Sequence, residues 1–104
     1  MTYDATIRSG DTRNLVFTVT TGGEATDVSG ASWTHGIAAY PGAGTVGADR
    51  SGTVPSGTEI TVPLSSGDTA IAPGRYYHEL EVTDALGNVS TYGGYILIEP
   101  ASVD

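Results

Sequence analysis

Four runs of this chain alternate apolar and polar side chains residue by residue, and that period of two leaves few folds open. Leu15, Phe17 and Val19 form the first run. Trp33, His35 and Ile37 form the second, Ile60, Val62 and Leu64 the third, and Tyr76, His78, Leu80 and Val82 the fourth. Successive side chains on a strand point to opposite faces, so each run offers one face to a core and one to water. Turn residues separate the runs, as they do in chains built of short packed strands.

Read in order, the pattern places strand A over Thr2 to Arg8, with Tyr3, Ala5 and Ile7 alternating, and a turn at Ser9-Gly10-Asp11. Strand B runs from Arg13 to Thr21 and closes at Gly22-Gly23. Glu24 to Gly30 is a crossing segment that tucks Val28 inward. Strand C follows from Ala31 to Ala39, with Trp33 on its inward parity. Pro41 to Arg50, rich in Gly and Ala, reads as a mobile loop that orders with both termini on assembly, and Ser51 to Val54 as a short strand. Strand E is Glu59 to Leu64, where Pro63 marks an edge. Ser65 to Ala70 holds one helical turn, with Ser65 and Asp68 spaced as a capping box. Strand F is Arg75 to Thr83, Asp84 to Asn88 is a hairpin loop, and strand G is Val89 to Ile98, with a bulge or a close backbone approach at Gly93-Gly94. The expected fold is all-β: a seven-stranded antiparallel immunoglobulin-like β-sandwich with Greek-key connections, one domain over residues 1–104.

Composition bounds the chemistry. A chain of 104 residues buries roughly 65% of its unfolded surface, enough for a core without staples. It has no cysteine, so disulfides and thiolate metal sites are excluded. Its only basic side chains besides the histidines are Arg8, Arg13, Arg50 and Arg75, against 12 acidic ones, for a net charge of −8. No basic patch for nucleic acid can be assembled from these, and an anionic membrane would repel the chain. The apolar stretch from Tyr95 to Ile98 is far too short to span a bilayer. Met1 is followed by Thr2, Tyr3 and Asp4, with no basic and then apolar segment, so no secretory signal is expected.

Candidate sites are few. His35 and His78 share the inward parity and could meet across the sandwich, but two imidazoles without a placed carboxylate make a poor metal site, and neutral core histidines donating to carbonyls are expected. Glu79 and Glu81 are paired carboxylates of the kind glycoside hydrolysis uses, yet one residue apart on an exposed strand face they read as a solvated surface. Asp84 with Asn88 suits calcium less than it suits its own turn. Tyr76 sits where a tyrosine-corner bond forms. Catalytic residues, cofactor and metal are therefore all expected to be absent. One feature points to a partner. If Ile96 and Ile98 face the core, Tyr95 and Leu97 face out beside Tyr77, an apolar patch rimmed by Arg75, Glu79 and Glu81. Such a cluster marks a protein interface, unless a loop or tail of the same chain covers it.

Three stretches, "SGDTRNLVFTVT", "ATDVSGAS" and "TVPLSSGDTAIAPGRYYHELEVTDALGNVSTYGGYILIEP", resemble small immunoglobulin-like virion proteins of tailed phages. Some of those accompany head and tail genes, and others form the N-terminal module of baseplate upper proteins. The shared elements are the "GDT" entry to strand B, the Asp-Val-Ser-Gly-Ala crossing, the "PGRYY" entry to strand F and the Asp84–Asn88 hairpin. The long C-terminal extension of the baseplate version is not expected here, which favours a small accessory subunit. The resemblance implies a structural part without an active site: a capsid decoration or minor capsid subunit, with a tail or baseplate accessory as the alternative. Its partners would be the major capsid or tail protein and copies of itself, and its location the virion, after synthesis in the host cytoplasm. A stand-alone module for carbohydrate or host surface, using Tyr40, Tyr92 and Tyr95, is the other class of function.

Overall fold

The computed structural model describes residues 3–101. Among them nine strands and one helical turn form: β1 (Ala5–Arg8), β2 (Arg13–Thr18), β3 (Thr20–Thr21), β4 (Glu24–Ala25), β5 (Ser32–Ala38), β6 (Thr45–Thr53), β7 (Glu59–Leu64), α1 (Ser66–Thr69), β8 (Gly74–Thr83) and β9 (Val89–Glu99). Five of them make one sheet in the order β1-β9-β8-β5-β6. β2 and β7 make a two-stranded sheet, and β3 and β4 a small hairpin.

The fold is mostly β, and it is not wholly antiparallel. β1 runs parallel to β9, with Ala5 opposite Ile96 and Ile7 opposite Ile98. A strand that begins the chain and one that ends it can pair parallel without a crossover helix, because the rest of the chain is the connection. The other ladders are antiparallel.

Strand parity places the core. Trp33, His35 and Ile37 face inward from β5, His78, Leu80 and Val82 from β8, and Ile96 and Ile98 from β9. They meet Leu15 and Val19 from the β2 side and Ile60, Val62 and Leu64 from β7 in one cluster, with Val28 and Val54 closing an end. β7 alternates strictly between exposed and buried residues. Trp33 lies deep, as its parity predicts, but Phe17 is only half-buried against the cluster.

Four expectations need correction. Strand B is interrupted at Val19, so Thr20 and Thr21 form a separate hairpin strand with Glu24 and Ala25. Pro41 to Arg50 is not all loop. From Thr45 the chain is strand β6, paired with β5 and continuous with the short strand expected after it. Two glycines of β6 are close-packing positions: a Cβ on Gly47 would lie 2.6 Å from the Asp68 carbonyl. A Cβ on Gly52 would lie 2.6 Å from Trp33 Cζ2, so only glycine lets the indole lie against this strand. The ladder across Gly93 and Gly94 is uninterrupted, so no bulge forms there, although both glycines are closely approached by side chains, and the irregularity in this sheet falls in β5 against β6, between Gly36 and Ala38. Strand C is shorter than expected at both ends. The ordering expected of both termini concerns residues 1–2 and 102–104, which lie outside the described residues.

The helical turn holds β6 in place. Ser65 Oγ accepts from Asp68 N, and the Asp68 carboxylate accepts from Ser65 N at 2.7 Å, the expected capping box. Arg50 of β6 donates through Nε to the same carboxylate at 2.8 Å and through Nη2 to Ser65 Oγ at 3.0 Å. Partial burial alone would raise the pKa of Asp68, but the bonds from Ser65 and Arg50 outweigh it and hold the carboxyl below its ordinary value.

Candidate functional site

The outer face of the large sheet carries every residue of the expected interface. Pairing of β8 with β9 sets Tyr77 opposite Tyr95 and Arg75 opposite Leu97. Ile96 and Ile98 are buried, so the parity that turns Tyr95 and Leu97 outward holds. The Tyr77 and Tyr95 rings meet edge to face at 5.8 Å between centroids, and the Arg75 guanidinium lies 5.0 Å from the centre of the Tyr95 ring. Both are favourable arrangements for rings with a negative face and a positive edge. Tyr77, Tyr95 and Leu97 are half-buried, not open to water, because they shield one another and Leu97 has Thr6 of β1 on its other side.

The face is polar at its other end. Glu79 stands opposite Gly36 and Glu81 opposite Thr34, with Asp49 of β6 beyond Gly36. The Tyr77 hydroxyl donates to Glu79 Oε1 at 3.1 Å. Partial burial first, and the neighbouring Glu79 second, raise the Tyr77 phenol above its ordinary pKa. A Cβ on Gly93 would collide with the Tyr77 hydroxyl, so the glycine makes room for this bond. Glu79, Glu81, Asp49 and Tyr77 border a shallow groove of about 270 Å³, walled by Gly42 and Ala43. A concavity therefore does lie beside the two glutamates, where only a flat solvated face was expected.

The two histidines do meet, but from the neighbouring strands β5 and β8 of one sheet and not across the sandwich. His78 Nε2 is 2.6 Å from Asp4 Oδ2, and His78 Nδ1 is 3.0 Å from His35 Nε2. One neutral arrangement satisfies both contacts: His78 Nε2–H donates to Asp4, and His35 Nε2–H donates to His78 Nδ1. The partners are a carboxylate and a second imidazole, not backbone carbonyls. His35 Nδ1 is left without a hydrogen-bond partner among the described residues. Burial first, and the neighbouring His78 second, push the His35 pKa down to about 4. No group of three metal-ligating side chains suited to an ion occurs among the described residues.

Asp4 was missed as a functional candidate. It lies 74 residues from His78 in sequence, and nothing in the spacing announces the pair. Gly94 admits it, since a Cβ there would collide with the Asp4 carboxylate. The Asp84 loop needs no ion: Oδ1 accepts from the amides of Leu86 and Asn88, both at 2.9 Å, and Oδ2 from Asn88 Nδ2. The Tyr76 hydroxyl donates to the Ala72 carbonyl, the corner bond expected of it.

Comparison of the chain with protein-family models, with curated proteins and with solved structures finds no match in any of the three.

Proposed function

We propose that this chain is a structural subunit of a tailed-virus particle, a capsid decoration or minor capsid protein that docks through the outer face of β8 and β9. In this reading the two sheets are an immunoglobulin-like sandwich, with β2 and β7 as strands B and E and β5, β8 and β9 as C, F and G. The observation that carries it is the Tyr77–Tyr95–Leu97 cluster on rigid, paired strands, half-buried and flanked by Arg75 and the acidic stripe. Tyrosine supplies large contact area at low rotamer entropy, and the charges around it set register more than affinity. A symmetric lattice multiplies such contacts, so each copy need bury only a modest area. The partners are the major capsid or tail protein and further copies of this chain, with neither nucleic acid nor membrane engaged and no reaction catalysed. The location is the virion.

Leu97→Asp tests it. The variant folds, because the side chain lies outside the core, and is absent from purified particles assembled beside wild-type controls. Wild-type occupancy of the variant would remove the face from consideration. A second reading, a carbohydrate- or host-surface-binding module, is favoured by the groove between Tyr77, Asp49 and the two glutamates. Titration with oligosaccharides, read as shifts of the Tyr77 ring signals, separates the two.

A further inference from the structure

Among the described residues the small sheet has an unpaired hydrogen-bonding edge. β2 pairs with β7 and with no other strand among the described residues. Val19 N donates to Thr58 O, which fixes the alternation of the ladder: Phe17 with Ile60, Leu15 with Val62 and Arg13 with Leu64 are the hydrogen-bonded pairs. Pro63, which has no N–H to give, falls opposite Asn14 in a pair that needs none. The N–H and C=O groups of Asn14, Val16 and Thr18 consequently point the other way, to the open side. Under that edge runs a groove of about 420 Å³, with Leu15 and Phe17 on one wall and Asp4, His78 and Tyr92 on the other. Val16 and Tyr92 beside it are 56% and 40% exposed.

We propose that the open edge of β2 receives an extended segment of another protein, which adds as a third strand and carries a basic and an apolar side chain two positions apart. Ladder groups are satisfied in full only by another backbone in extended form, so the occupant is a polypeptide. It is not the same edge of a second copy. The groove's far wall is made by Asp4 and Ala5, by His78 of β8 and by Tyr92 and Gly93 of β9. Two copies paired edge to edge through β2 would bring two such walls, each with its own Asp4, together in chains of net charge −8. A free basic arm or tail meets no such repulsion. Its inward side chains would fall opposite Leu15 and Phe17. The one opposite Phe17 also meets Tyr92 and is apolar. The one opposite Leu15 lies toward Asp4, whose side chain is 56% exposed in a chain of net charge −8, and is basic. Arg13 also lines the groove and keeps its charge, but its Nη2 is held at the Thr6 carbonyl, 2.9 Å away. This surface is separate from the Tyr77–Tyr95–Leu97 face, and its failure would leave that face untouched.

The test uses the full chain and an end-capped peptide in which threonine alternates with one valine and one lysine. Amide exchange at Asn14, Val16 and Thr18 should slow roughly tenfold with peptide at about ten times its Kd, and Phe17 and Tyr92 ring signals should shift. The same peptide with glutamate for lysine should bind markedly more weakly. Val16→Pro removes one open-edge N–H without touching the β7 ladder and should abolish the slowing. Tyr92→Ser, which alters only the groove wall, should weaken binding severalfold and serves if the proline variant does not fold. The proposal is overturned by unchanged exchange at millimolar peptide, by equal binding of the glutamate peptide, by an unaltered affinity of Tyr92→Ser, or by protection that grows with protein concentration alone.

Discussion

The core has two unlike ends. Around Trp33 it is apolar: the indole belongs to one cluster with Val82, Ile60 and Val54, and its Cζ2–Nε1 edge lies against Gly52. Around Phe17 it is polar: the ring touches His35 and His78 at centroid distances of 6.0 and 5.9 Å, and the imidazoles connect to Asp4 at the surface. The same inward strand positions supply both ends. Apolar burial holds the first whatever the pH, whereas the second holds only while its protons stay in one arrangement. A single fold thus carries one end with a titratable pair in its interior and one packed from apolar side chains.

The largest expected effect separates the halves most sharply. Trp33→Ala should cost about 3–5 kcal/mol, the usual range for a buried large aromatic, measured by denaturant unfolding at neutral pH. In the wild-type chain Trp33 fluorescence should resist iodide quenching, since the side chain is only 7% exposed.

Acid should act on the other half. His35 titrates at about 4 when folded against 6.5 when unfolded. The unfolded chain therefore binds the proton first, and the stability contributed by neutral His35 is fully present above pH 6.5 and lost as pH falls toward 4. The loss is about 3 kcal/mol across that window. Asp4, His78, Arg50 and Asp68 surround this group, and Asp68 pulls its pKa upward. His35→Leu should flatten the stability profile between pH 4 and 6.5 (the carboxylates still titrate below it). An unchanged slope would sink the assignment.

Smaller effects probe the link to the surface. Asp4→Ala should cost about 1 kcal/mol, because water can replace an acceptor that is more than half exposed. Gly94→Ala should cost a similar amount by pushing the same carboxylate off His78, which a Cβ would approach to 3.4 Å at Nε2. The two costs should fall well short of adding in the double variant, since both remove one contact. Full additivity would show that Gly94 acts on something else.

Side-chain parity is legible in the residue order alone, because a period of two assigns faces without knowing the neighbours. Trp33 is inside on that ground, and with Ile96 and Ile98 turned to the core Leu97 is outside. Local chemistry is equally plain: the Ser65–Asp68 capping box, the Asp84 hairpin and the bounds of β7 each arise within a few residues. Phe17 shares the inward parity yet is half-buried, since parity says nothing of how far the facing sheet extends. β6 was hidden because its glycines have poor strand propensity, and only Trp33 and α1 explain why glycine is there.

What the sequence determined by itself is therefore a set of strands, their faces and their turns, along with a net charge of −8. What only the tertiary structure decided is which strands became neighbours: β1 parallel to β9, β6 on the edge of β5, β2 with one side open, and Asp4 delivered to a histidine pair. The reason is physical. Periodicity and turn preference are carried by adjacent residues, whereas pairing depends on the packing of surfaces distant in the chain, and only that packing tells a covered edge from an open one.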